Sequence, residues 1–210
     1  QEYTHANQVM ATIEMGRKNF KKATISLIKS LEHNNNRSQK ARTHFILGQL
    51  YERLKRGDEA IQHYNKVVAL NPEYEMSFRA SLNKAIAYAS SSGSPKELLK
   101  EYYKMLKDVK NKEYRDQIYY ALGEINLNDG DTTSAIENYK QSLLSFLFNV
   151  DQKLQTHFRL SKIYLKQKQY KPACIQHDSI IMLINTGDNR YLKTKTIYKN
   201  LKELVKNQDI

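Results

Sequence analysis

Residues 41–74 read ARTHFILGQLYERLKRGDEAIQHYNKVVALNPEY and carry the clearest structural pattern of the chain. In each half the apolar residues recur at the spacing of one helix face, and Gly57 interrupts the pattern midway, which predicts two helices joined by a turn. Pro72 cannot extend the second helix because it has no amide hydrogen to donate. Gly48 in the first half and Ala60 in the second are small enough to let the two backbones approach closely. The stretch therefore predicts an antiparallel helix pair.

The same pattern recurs along the chain with a period of 37 or 38 residues. Each copy has a small residue in its first half, which we call the anchor of that unit. The anchors are Ala11, Gly48, Ala85, Gly123 and Ser161; a Tyr follows 16 residues after the second and fourth of them, and His177 holds that position in the fifth unit. Five units are predicted over residues 1–187, at about 4–38, 41–74, 78–111, 115–149 and 153–187. Residues 188–210 are predicted to hold a C-terminal capping helix, in which Arg190–Lys206 covers the apolar face of the last unit.

Five helix pairs and a cap predict about eleven helices and almost no strand, in an all-α right-handed solenoid of antiparallel helix pairs. The 7 Gly and 3 Pro are too few for a protein of many short strands, which needs a turn roughly every ten residues. Asp58, Ser94 and Asp131 lie where second helices should begin, and their side chains are favoured as N-caps. Gly48 and Gly123 are expected at tight helix contacts, where an added side chain would displace a neighbour.

This pattern resembles the tetratricopeptide repeat. The second unit has Leu47, Gly48, Tyr51, Ala60, Tyr64 and Pro72 in the register of that family, and the fourth has Tyr119, Leu122, Gly123, Ala135 and Tyr139. The resemblance implies a scaffold that binds other proteins and is not an enzyme.

A second resemblance covers residues 71–78, 104–107 and 111–123, which are similar to the repeat region of the PorW and SprE lipoproteins of the Bacteroidota type 9 secretion and gliding system. It implies a scaffold that links the outer-membrane translocon to periplasmic ring and motor parts, at the periplasmic face of the outer membrane. The chain opens at Gln1 and lacks the lipid-attached Cys of that family, so we expect an excised part whose only membrane link is a lipid anchor outside it. Cys174 lies in a predicted helix and is expected to be a buried, inert thiol.

The charge balance leaves two other functions open. With 34 Lys and Arg against 22 Asp and Glu, the chain carries +12 and should attract acidic partners. A peptide-binding adaptor of another pathway fits the pattern, and a basic helical-repeat RNA-binding protein is favoured only by charge, so nucleic acid is a weaker prediction than protein. The six His are scattered without metal-ligand spacing, and no catalytic site, metal, cofactor or small-molecule substrate is predicted.

The partner-binding face is predicted from the register of the repeat. First helices of such units are expected to line an inner face, with the positions three before and one after each anchor pointing inward. With the flanking arginines, the predicted residues are Arg42, Phe45, Gln49, Arg79, Leu82, Ile86, Tyr120, Glu124, Phe158 and Lys162. Buried aromatic side chains are the usual anchors of a bound peptide, so Phe45, Tyr120 and Phe158 are expected to hold a partner segment. Arg42, Arg79 and Lys162 should orient an acidic or carbonyl-rich stretch of that segment.

Overall fold

Helices make up almost all of the computed structural model, which describes residues 2–208. They are α1 (Glu2–Gly16), α2 (Phe20–Glu32), α3 (Arg37–Arg53), α4 (Gly57–Ala69), α5 (Tyr74–Tyr88), α6 (Pro95–Lys107), α7 (Arg115–Asn128), α8 (Thr132–Leu144), α9 (Val150–Lys166), α10 (Tyr170–Leu183) and α11 (Tyr191–Gln208), with a 3₁₀ segment, Val109–Tyr114, before α7. Within residues 2–208 there is no strand, and the prediction of about eleven helices is confirmed.

The helices pack in consecutive antiparallel pairs, as the repeat predicts. α1 packs on α2, α3 on α4, α7 on α8 and α9 on α10, and α11 follows against α10. The chain divides into two compact units, Gln1–Glu101 and Tyr102–Ile210, which we call the N-terminal and C-terminal units. The all-α arrangement of antiparallel helix pairs is thus confirmed.

Two glycine–tyrosine contacts draw the paired helices together. A Cβ atom placed on Gly48 would lie 2.5 Å from Cε1 of Tyr64, and one on Gly123 would lie 2.6 Å from Cε1 of Tyr139. Both tyrosine rings are fully buried. The prediction that these glycines sit at tight helix contacts is confirmed, and each tyrosine 16 residues after its anchor lies against that anchor.

All three second helices begin where predicted, because α4, α6 and α8 start within one residue of Asp58, Ser94 and Asp131. Asp131 caps α8 by accepting a hydrogen bond from the Ser134 amide at 2.9 Å, and Ser94 precedes Pro95 at the start of α6. Asp58 as a cap is wrong, because α4 already begins at Gly57. The Asp58 carboxylate instead accepts hydrogen bonds from the amide and hydroxyl of Ser92, at 3.1 and 2.7 Å, and so ties α4 to the loop that follows α5.

Candidate partner-binding site

The predicted inner residues of the N-terminal unit lie on α3 and α5. Phe45 and Leu82 are half-buried there, whereas Arg42, Gln49, Arg79 and Ile86 are more exposed. The Phe45 ring packs edge-on against Tyr64, with 5.8 Å between ring centroids, so part of the Phe45 ring is in contact with the hydrophobic core. Arg79 pairs with Glu75 of its own helix at 2.8 Å, and both side chains are well exposed. This face therefore combines core-held apolar groups with cations.

Tyr64 spans the space between successive first helices of this unit. Its phenol donates a hydrogen bond to Glu52 of α3 at 2.6 Å and accepts one from Asn83 of α5 at 3.3 Å. Burial raises the pKa of Tyr64, so the phenol stays protonated and remains a donor. The second-helix tyrosine thus joins its own first helix to the next one.

The C-terminal unit repeats this arrangement with a charged partner. Tyr139 of α8 donates to the Glu124 carboxylate of α7 at 2.7 Å, and burial raises the pKa of that phenol. Arg159 of α9 binds both oxygens of Glu124 at 2.8 Å and also donates to the hydroxyl of Tyr120 at 3.3 Å. The predicted residue Glu124 is therefore buried in an internal ion pair.

The other predicted residues of the C-terminal unit meet at one cavity. Tyr120, Phe158 and Lys162 all line a cavity of about 580 Å³, to which Gln155 and Leu165 also contribute. Tyr120 and Phe158 are half-buried, and Lys162 is exposed. The register therefore brings an aromatic pair and a cation from two first helices, α7 and α9, to one site.

Sequence reasoning missed the part of this cavity that α11 and the residue before it supply. Arg190, Lys193, Thr194 and Ile197 line it from that side. The Arg190 guanidinium lies 5.1 Å from the centroid of the Phe158 ring and forms an ion pair with Asp188 at 2.6 Å. These residues lie outside the repeat, so the repeat period could not point to them.

The inner end of the cavity is formed by two buried polar side chains. Ser161 is 2% exposed and His177 is 4% exposed, and both line the cavity. The Ser161 hydroxyl and both ring nitrogens of His177 have no hydrogen-bond partner among the described residues. Burial lowers the pKa of His177, so the imidazole is neutral near pH 7 and has one donor and one acceptor nitrogen. The sequence carries a signal here, because these two residues stand where the second and fourth units have Gly and Tyr.

Three further histidines and the cysteine have structural surroundings. His44 and His63 join α3 to α4 through their Nδ1 atoms, 2.9 Å apart, and His157 makes the equivalent contact with Gln176 at 2.8 Å. Cys174 is half-buried, and burial raises the pKa of its thiol. Within residues 2–208, no group of three or more His, Cys, Asp or Glu could hold a metal ion.

A second cavity, of about 440 Å³, lies in the N-terminal unit between the start of α1 and the α2–α3 loop. Its lining is polar and includes Thr4, His5, His33, Asn34 and Gln39. The described residues that line it include none of the predicted partner-binding set.

Two segments of the chain match models of the tetratricopeptide repeat family, at residues 41–74 and 116–145. No protein of curated function matches the chain by sequence.

Solved structures that share its fold include the following three. PilF of Pseudomonas aeruginosa is 19% identical with a TM-score of 0.58, over 99% of this chain and 86% of PilF. MamA (41-end) of Desulfovibrio magneticus RS-1 is 16% identical with a TM-score of 0.57, over 90% of this chain and 99% of MamA. The TPR protein TTC0263 of Thermus thermophilus is 16% identical with a TM-score of 0.58, over 94% of this chain and 98% of TTC0263. Two units of the chain thus match the tetratricopeptide repeat by sequence, and the described residues share the fold of these three structures.

Proposed function

We propose that the protein is a scaffold whose first-helix faces hold acidic segments of partner proteins. Tetratricopeptide repeats bind protein partners, and scaffolds built from them are typically not enzymes. The observation that carries the proposal is the cavity of the C-terminal unit, where the predicted residues Tyr120, Phe158 and Lys162 meet. An apolar pocket with a basic rim suits an extended acidic peptide.

The finer proposal is a role in type 9 secretion and gliding. Its support is the resemblance of residues 71–78, 104–107 and 111–123 to the repeat region of PorW and SprE. On this proposal the scaffold links the outer-membrane translocon to periplasmic ring and motor parts, and it works at the periplasmic face of the outer membrane. Among residues 2–208, no helix is long and apolar enough to cross a membrane.

Affinity capture tests both levels of the proposal. Residues 1–210 are immobilised, exposed to a detergent-solubilised Bacteroidota envelope extract, and eluted with increasing salt before mass spectrometry. We expect translocon, ring or motor proteins to be enriched and to elute with salt, because the rim contacts are ionic. If other proteins are captured through the same cavity, the protein is a scaffold of another pathway. Preferential capture of single-stranded RNA would contradict the protein-binding function.

Matched variants connect the captured proteins to the site. Phe158→Ala removes an apolar wall of the cavity, and Lys162→Ala removes an exposed cation at its rim. Ile175→Ala serves as the control, since Ile175 is an exposed apolar residue of α10 that does not line the cavity. Loss of the same proteins from both cavity variants, but not from the control, is the expected result.

A further inference from the structure

The fifth unit differs from the second and fourth at the two positions that close the space between successive first helices. Gly48 and Tyr64 form a tight pair, as do Gly123 and Tyr139. In both pairs the tyrosine lies on the second helix and its hydroxyl donates a hydrogen bond to a glutamate of the first helix. The fifth unit has Ser161 and His177 at these positions. An imidazole is shorter than a phenol, so His177 cannot reach as far as the tyrosines do.

The serine explains why a tyrosine is not accommodated in that unit. At both glycine anchors a Cβ atom would lie within 2.6 Å of the tyrosine ring, closer than two carbon atoms can approach. Ser161 has such a Cβ, so it takes space that the tyrosine ring uses in the second and fourth units. The region between α9 and α11, which a tyrosine would partly close, is instead the cavity of about 580 Å³.

The two exchanged side chains leave hydrogen-bonding capacity unused at the inner end of the cavity. Ser161 and His177 are more than nine-tenths buried and have no partner for their polar atoms among the described residues. Buried polar groups are almost always hydrogen-bonded, because leaving them unpaired is unfavourable. Ser161 can donate and accept, and a neutral imidazole does both through its two nitrogens. A hydroxyl group that enters the cavity could therefore bond to both residues.

The wall of the cavity indicates which kind of side chain carries that hydroxyl, and the rim indicates the charge of the segment around it. Phe158, Leu165 and Ile197 provide an apolar wall that suits an aromatic ring. Lys162 and Lys193 are exposed at the cavity, and no acidic side chain of residues 2–208 lines it. The charge complement of this rim is a segment rich in Asp and Glu.

We propose that the cavity between α9 and α11 receives a tyrosine side chain from an acidic segment of a partner protein, with its phenol bonded to Ser161 and His177. The inserted tyrosine fills a space in the fifth unit that corresponds to the space filled by Tyr64 and Tyr139 in the second and fourth units. It differs from them in that it belongs to another chain. This proposal rests on the scaffold function above and names the partner chemistry that one of its faces recognises.

The test uses three fluorescein-labelled peptides that differ at one position: acetyl-Glu-Glu-Tyr-Glu-Glu amide and its Phe and Ala versions. Fluorescence polarisation with the full 210-residue chain should show the Tyr peptide binding at least about tenfold more tightly than the Phe peptide, because only the phenol can satisfy the buried polar groups. Equal binding of the Tyr and Phe peptides would overturn the proposal.

A double variant, Ser161→Gly/His177→Tyr, creates the glycine–tyrosine pair of the second and fourth units and should close the cavity from within. We expect it to fold with an unchanged or higher melting temperature and to lose the preference for the Tyr peptide. A second variant, Lys162→Glu/Lys193→Glu, reverses two exposed rim charges and should weaken all three peptides about equally. Ile175→Ala is the control for both.

The outcomes separate this proposal from the scaffold function. If the parent captures proteins that Phe158→Ala and Lys162→Ala lose but the double variant retains, the tyrosine proposal is wrong and the scaffold function stands. If the parent binds none of the three peptides at low salt, the tyrosine proposal is likewise wrong. The scaffold function itself fails if no captured protein is lost from Phe158→Ala and Lys162→Ala, or if single-stranded RNA is captured in preference to protein.

Discussion

The contact between Gly123 and the ring of Tyr139 is a tight steric constraint in the C-terminal unit. A methyl group on Gly123 would meet three ring atoms at 2.6 to 2.9 Å, and the ring is fixed because its phenol is bonded to Glu124. Gly123→Ala should therefore overpack this contact and lower the free energy of unfolding by about 1–3 kcal/mol.

Urea denaturation followed by circular dichroism measures this effect, with Gly16→Ala as the matched control. A Cβ on Gly16 would meet nothing within 4 Å, so the same substitution there should be neutral or mildly stabilising. Equal midpoints for the two variants would show that the Gly123 contact does not restrict the fold.

The His44–His63 pair makes stability depend on pH. Burial lowers the pKa of both rings from 6.5 to about 4, and Lys66 adds to the shift at each. The two rings are therefore neutral in the folded state and bind protons more readily in the unfolded chain. The unfolded state binds more protons between about pH 4 and 6.5, so the stability from this pair is complete above that range and is lost as the pH falls through it.

The pH prediction is checked by urea denaturation at about pH 7.5 and about pH 5, on either side of the unfolded-state pKa of histidine. The parent should lose more stability on acidification than the double variant His44→Gln/His63→Gln, whose side chains do not titrate. Glu52 of α3 has a pKa raised by burial, which acts in the opposite direction, but it is present in both proteins and its effect cancels in the comparison. The same loss of stability in both would contradict the role assigned to the pair.

At the scale of helices, a strained backbone follows the first helix of three units, at the same position of the repeat in each. Lys18, Lys55 and Lys168 lie seven residues after their anchors and have φ angles of 61°, 59° and 58°, where side chains are disfavoured. Gly130 holds the same position in the fourth unit with φ of 88°. Of these four helix ends, only that of the fourth unit has a glycine, the residue that adopts a positive φ without strain.

Lys55→Gly should therefore raise the free energy of unfolding by about 0.5–1 kcal/mol, because glycine adopts positive φ without steric cost. Thermal unfolding can follow the change. Lys55→Ala is the control, since it removes the same side-chain charge and keeps the Cβ. Should the two variants melt at the same temperature, backbone strain at this helix end is not what limits stability.

Helix ends also show where sequence reasoning reaches its limit. Asp131 and Ser94 were identifiable as caps because each is a short polar side chain placed just before a helical pattern. Asp58 matches the same description, but its carboxylate bonds to Ser92, 34 residues further along the chain. Such a long-range bond competes with capping, and nothing in the local sequence distinguishes the two.

At the scale of the whole molecule, repeat periodicity predicted the helix pairs and three residues of the cavity. Tyr120, Phe158 and Lys162 could be named because they hold defined positions relative to their anchors. Arg190 and Lys193 could not, because they lie beyond the last unit and no register relates them to it. Glu124 was predicted on the inner face, but no pattern in the sequence reveals its ion pair with Arg159.

The central proposal is that the cavity of the C-terminal unit binds an acidic partner segment. Titration calorimetry with a partner obtained by affinity capture tests it most directly. The parent and the Phe158→Ala variant are compared after circular dichroism shows that both are folded. Truncating a binding anchor should cost on the order of 2 kcal/mol or more, or roughly a 30-fold rise in Kd. If Phe158→Ala binds as the parent and the Ile175→Ala control do, the cavity is not the binding site, and the proposed function of this face is wrong.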